Sequence, residues 1–176
     1  KGAYWDTEIK RSQIEGAPAF SVFSQKAATD MSYICCASAL LKMGPRVYPQ
    51  FATHNAHTIA AVLALAGERS DFEFQRLHGM GEALHDLVHE LHGRRCRIYA
   101  PVGGHRELLP YLVRRLLENG ANSSFVNQLI DPDLSVDDVV ADPLDEIAAL
   151  TEYANPNIPA PRDTLGGDRL SAKGWD

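Results

Sequence analysis

What the 176 residues lack narrows the reading first. Cysteine is scarce: Cys35, Cys36 and Cys96 are the full set, an odd number with no CxxC spacing. That argues against a disulfide framework and against a ribbon-type zinc site, so reduced thiols and a cytosolic compartment are expected. No apolar run approaches the roughly 20 residues that a membrane helix needs, and no signal peptide opens the chain. Excess positive charge is missing too. The net charge is −6, which disfavours nucleic-acid binding by bulk electrostatics. There is no internal repeat and no low-complexity tract. What remains is 45% hydrophobic and 23% charged, the composition of one ordinary folded domain with a substantial core.

The chain alternates in character. Lys1–Trp5 is strand-like, and Asp6 or Thr7 can cap a short helix carrying Ile9 and Ile14. The first residues resemble the end of a strand whose beginning lies elsewhere, so a piece of a longer protein is expected. A loop broken by Gly16 and Pro18 follows. A helix is predicted from about Asp30 to Lys42, with Met31, Ile34, Cys35, Ala39, Leu40 and Leu41 on its apolar side. "RVYPQFAT" (46–53) is a strand candidate, weakened by Pro49. "HTIAAVLALAGE" (57–68) reads as a helix, "FEFQRLH" (72–78) as an alternating strand, and "GEALHDLVHELHG" (81–93) as a helix with Leu84, Leu87, Val88 and Leu91 inward. "RCRIYAPVGG" (95–104) is a further strand and loop, and "YLVRRLLENGANSSF" lies in the helix after it, where Pro110 is tolerable in a first turn.

Repeated strand–helix units specify an α/β fold with a parallel sheet. Four strand candidates make half of an eight-unit β/α barrel, since the whole needs about 250 residues. The barrel portion is assigned to residues 1–128. Residues 129–154 are acidic, with short helical stretches near 136–140 and 144–153. Residues 155–176 are rich in Pro, Asn and Gly and read as a linker.

Three constellations carry chemistry. Tyr111, Arg115 and Glu118 share a helix face, and Arg114 lies beside them, also one turn before Glu118. Spacing alone favours an Arg114–Glu118 surface pair, worth a few tenths of a kcal/mol. The position after a barrel strand raises the odds of a carboxylate clamp built from two guanidinium forks. Thr53, His54 and Asn55 stand where a strand passes into a helix. They suit either helix capping or a polar ligand gathered at a helix N-terminus. His85 and His89 are spaced as in HExxH, with Asp86 in place of glutamate. Three histidines on a polar face, His92 included, are expected to be solvated, and a zinc-dependent hydrolase is the minor alternative. Cys35 and Cys36 are read as helix packing.

Taken together, "KGAYWD", "YPQFATHNAHT", "FQRLHGMGE", "CRIYAPVG" and "YLVRRLLENGANSSFVN" resemble the proline dehydrogenase domain of the bifunctional bacterial flavoenzymes of the proline utilization A type. The likeness runs in order from residue 1 to about 150. It implies the C-terminal half of a (β/α)8 barrel of the TIM type holding FAD. The implied reaction oxidises L-proline to Δ1-pyrroline-5-carboxylate and passes the electrons to a membrane quinone such as ubiquinone. Implied partners are the other half of the barrel and a C-terminal aldehyde dehydrogenase domain acting on L-glutamate γ-semialdehyde. The implied location is cytoplasmic, with peripheral association at the membrane, and the isolated half barrel is expected to be inactive. A non-catalytic module of the same fold is the runner-up.

By resemblance, Arg114 and Arg115 grip the proline carboxylate, Tyr99 and Tyr111 close around the ring, and Leu77 supplies an apolar wall. Glu118 matches a residue that bonds flavin ribityl or ribose hydroxyls. Trp5, Ser24, Lys26, Thr53, His54 and Asn55 match flavin-contact positions, with backbone approach near Gly2 and Gln75 as a weaker candidate. Arg76, Ser24 and Pro110 depart from the family's familiar pattern.

Overall fold

The computed structural model describes residues 4–119, 128 and 131–164. Its elements run α1 (Trp5–Glu15), α2 (Lys26–Lys42), a 3-10 turn (Gly44–Arg46), β1 (Gln50–Ala52), α3 (Ala56–Ala66), β2 (Glu73–Leu77), α4 (Glu82–His92), β3 (Cys96–Tyr99), α5 (His105–Asn119), α6 (Val136–Val139) and α7 (Pro143–Ala148). The chain divides into two compact units, Lys1–Thr29 with Asp142–Asp176, and Asp30–Ala141.

The larger unit is built on a three-stranded parallel sheet in the order β1-β2-β3. Each strand returns through a helix, as parallel pairing requires. The register pairs Phe51 with Phe74 and Ala52 with Gln75, then Gln75 with Arg97 and Leu77 with Tyr99. Strand side chains alternate, so Gln50, Ala52, Glu73, Gln75, Leu77, Arg97 and Tyr99 share one face. Phe51, Phe74, Arg76, Cys96 and Ile98 share the other. Helices cover the second face. Phe51, Phe72 and Phe74 meet edge-on or tilted and pack with Ala37, Leu41, Ile59, Val62, Ala66 and Val88. Glu73 through Arg76 are all buried, so β2 lacks the half-exposed alternation expected of it. A strand covered on both sides reads this way.

Arg69 locks the unit's lower edge. Its guanidinium donates to the carbonyls of Leu41, Gly44 and Val47 and pairs with Asp71, satisfying acceptors left open where α2 ends. On the other sheet face, Glu73 accepts from both Arg97 and Gln50. Arg97, the chief cause, and then Gln50 hold this carboxyl below its ordinary range.

In the smaller unit, α1 buries Ile9 and Ser12 and ends at Gly16, which adopts a left-handed φ of 61°. The indole N–H of Trp5 donates to the Phe23 carbonyl, and Gln13 reaches the Pro159 carbonyl. The Asn155 N–H donates to the Ser24 hydroxyl. Part of the stretch read as a linker is therefore anchored.

Several expectations change. Of the first strand candidate, residues 1–3 lie outside the described residues, while Tyr4 is the N-cap of α1 and Trp5 its first residue. Neither Asp6 nor Thr7 caps it. Helix α2 starts at Lys26, and Cys35, Cys36 and Ala39 on it are exposed. Pro110 sits in the second turn of α5, not the first. In α4, Leu87 and Leu91 face out, whereas His85 is buried with Val88.

Candidate active site

The C-terminal ends of the strands gather the candidate residues of the larger unit. After β1 the chain turns through Thr53, His54 and Asn55. The turn is closed by side chains: the Asn55 N–H donates to the Thr53 hydroxyl, and the Asn55 carboxamide oxygen accepts from the N–H groups of His57 and Thr58. Asn55 is thus the N-cap of α3, one of the two roles its position allowed.

His54 reaches across to β2, where its Nε2 accepts from the Leu77 N–H at 3.1 Å. An accepting Nε2 carries no proton, so the neutral ring holds its hydrogen on Nδ1. Burial, then the proximity of His85 and of the Arg115 and Arg76 cations, pushes the imidazole down to about 4. His54 is therefore a neutral donor at Nδ1 throughout the physiological range.

His85 sits beneath it, 1% exposed. Its Nε2 lies 3.0 Å from the Thr53 carbonyl. A carbonyl only accepts, so Nε2 is protonated and Nδ1 is bare. That Nδ1 is buried and has no hydrogen-bond partner among the described residues. The two imidazoles meet edge-to-face with centroids 6.5 Å apart. Gly81 closes the arrangement in a left-handed conformation. A side-chain carbon there would lie 3.2 Å from the His54 ring and 3.4 Å from the His85 ring.

Leu77 and Tyr99 end β2 and β3 side by side, and Tyr99 is half exposed. Gln75 lies one pleat below on the same face, buried, with its amide nitrogen unpartnered among the described residues. On α5 the pairing differs from the spacing argument. Arg115, not Arg114, pairs with Glu118, at 2.7 Å, and its guanidinium carbon lies 5.4 Å from the Tyr111 ring centroid. Its Nε is buried without a partner among the described residues. Arg114 is partly buried.

Trp5, Ser24 and Lys26 belong to the smaller unit, where Trp5 lies on a helix rather than at a strand end and Ser24 accepts from Asn155. Lys26 opens α2. Gly2 lies outside the described residues. The zinc alternative fails on geometry. His85 is turned into the core while His89 is exposed and bonds the Arg94 carbonyl. Among the described residues no group of three or more His, Cys, Asp or Glu is placed to hold a metal ion.

Sequence reasoning marked Arg76 only as a departure from the family pattern, whereas it is 9% exposed and paired with Glu82, and it missed the inward turn of His85. The stripe Gly81, Leu84, His85, Val88 at spacings of three, one and three was the available signal.

A parallel sheet with helices on one face and a polar constellation at its carboxyl edge is the plan of a β/α-barrel enzyme sector. Comparison with known proteins names the sector. The family model for proline dehydrogenase matches residues 1–128, and the chain belongs to that family. The bifunctional protein PutA of Salmonella typhimurium is 50% identical over 190 aligned residues, covering 100% of this chain and 14% of the relative. A Bradyrhizobium japonicum proline utilization A variant superposes with a TM-score of 0.90 at 55% identity, over 96% of this chain and 17% of that one. Proline utilization A from Bdellovibrio bacteriovorus, inactivated by N-propargylglycine, gives 0.78 at 35% identity, over 89% and 16%. The chain thus spans about one-seventh of the length of the curated relatives it matches.

Proposed function

We propose that this chain is the C-terminal half of a flavin-dependent proline dehydrogenase barrel and contributes the substrate clamp. The observation that carries the reading is the Tyr111–Arg115–Glu118 array within the region that matches the family. Arg115 is oriented from two sides, which leaves its fork pre-organised for a planar carboxylate. With Arg114 beside it, the pair grips the carboxylate of L-proline. Tyr111 and Tyr99 flank the pyrrolidine ring, and Leu77 offers it an apolar wall.

The donor set suits FAD, a cofactor rich in acceptor atoms. Among the described residues the buried Gln75 amide nitrogen meets no hydrogen-bond acceptor in bonding geometry, and His54 presents Nδ1–H. Glu118 would bond ribityl or ribose hydroxyls. Trp5, Ser24, Lys26, Thr53, Asn55 and backbone near Gly2 would complete the cofactor contacts. Bound flavin supplies the acceptor for a hydride equivalent. The protein's part is to hold proline by its acid group, so that the carbon beside nitrogen is presented in one orientation and Δ1-pyrroline-5-carboxylate results. A membrane quinone takes the electrons, through peripheral association of a cytoplasmic protein, and a fused aldehyde dehydrogenase domain consumes the product.

The test is anaerobic addition of L-proline to the full-length protein, with bleaching of flavin absorbance expected. Arg114→Met and Arg115→Met should each raise the proline KM by tenfold or more, about 1.4 kcal/mol, with flavin retained. Normal KM in both variants would end the clamp assignment.

A further inference from the structure

We propose that His85 is a positioning residue for the cofactor end of the site, holding the Thr53–Asn55 turn by its Nε2–H and setting the plane of the His54 ring together with Gly81. The inference rests on the flavin reading above and assigns a role that the sequence pattern did not suggest.

His85 is almost fully buried among Phe74, Val88 and Leu84. An apolar side chain of similar volume would bury no unpaired ring nitrogen there. The imidazole instead leaves one ring nitrogen buried and unpaired, which is unfavourable. What it gains is one hydrogen bond, to the carbonyl of Thr53, in a turn whose side chains already bond the Asn55 N–H and the first N–H groups of α3. That carbonyl receives its bond from α4, an element outside the turn.

His54 is held at three points: the Leu77 N–H at Nε2, the edge of the His85 ring, and the bare backbone of Gly81. With Nε2 engaged, only Nδ1–H can act outward. Rotating the ring would break the Leu77 contact or strike His85. Charged and titratable groups near the pair are Arg76 from β2, Asp86 from α4 and Arg115 from α5. Two of the three facing charges are cationic, which favours the neutral form of both rings. The device delivers a donor of fixed direction to a cofactor acceptor, by pre-organisation rather than by contact of His85 itself.

The test uses the full-length protein and measures the FAD dissociation constant of three variants. His85→Met keeps volume and removes the donor. His85→Gln restores an N–H at similar reach. Gly81→Ala removes no hydrogen bond but crowds both rings. Expected are a roughly tenfold weaker FAD affinity for His85→Met, affinity within about threefold of the parent for His85→Gln, and weakening for Gly81→Ala. A purely structural role would leave His85→Gln as impaired as His85→Met. Unchanged affinity in both His85→Met and Gly81→Ala overturns the proposal. If His85→Met does not fold, Gly81→Ala decides alone: weakened affinity supports the assignment and unchanged affinity overturns it. A parent protein that takes up no FAD at all overturns the functional reading itself, an outcome distinct from failure of His85 alone.

Discussion

Two neighbouring parts of the larger unit carry the candidate site in opposite ways. Around β2, with α3 and α4, the chain is packed: Phe74 and Val62 are 0% exposed, and even Gln75, Arg76 and His85 are buried. On α5 nothing is buried, and Leu109, Leu112, Leu116 and Leu117 all stand more than half exposed. Yet α5 holds the arginines. The packed part fixes directions, through a neutral His54 and strand-end residues locked by the ladder. The open part fixes charge, through local i, i+3 and i, i+4 contacts that need no core. A carboxylate clamp can therefore be pre-organised within one helix, whereas an orienting imidazole needs three elements around it.

The sharpest break of that comparison is core truncation. Phe74→Ala should cost about 3–5 kcal/mol, read as a lowered urea midpoint with unchanged slope. A loss under about 1 kcal/mol would mean that the aromatic cluster is not the anchor. Next comes the arginine that closes α2. Arg69→Ala strips several carbonyls of their donor and should cost about 2–3 kcal/mol by the same measurement.

Acid adds a subtler probe. His54 has its folded pKa lowered from 6.5 to about 4. It contributes stability fully above pH 6.5, and that contribution is lost as pH falls from 6.5 toward 4. His85, lowered chiefly by burial, acts in the same sense. Replacing His54 by Gln should flatten the parent's loss of thermal stability between pH 6.5 and 5. An identical slope in parent and variant would contradict a partly buried, neutral His54. Smallest of all, Leu116→Ala on the open helix should change stability by no more than about 0.5 kcal/mol. A large loss there would show that α5 is covered in solution.

Much of this was legible in the residues. The order of helices and strands after Asp30 follows from periodicity and glycine stops, and the parallel sheet follows from their alternation. The long ordered motifs pointed to the family before any coordinates. Harder to see was which of two overlapping stripes on α4 faces inward. Leu84, Leu87, Val88, Leu91 and Gly81, Leu84, His85, Val88 both obey helical spacing, and hydrophobicity alone prefers the wrong one. The Arg114–Glu118 and Arg115–Glu118 pairs were equally allowed, since both spacings bring side chains together.

By itself, then, the amino-acid order determined the element sequence after Asp30, the sheet type and the family, because these depend on local periodicity and on long specific motifs. Only tertiary packing decided that His85 points into the core, that His54 is a neutral donor and that Arg115 rather than its neighbour is braced. Those outcomes depend on distances between elements far apart in the chain, where burial and a single carbonyl outweigh the preferences of any one helix.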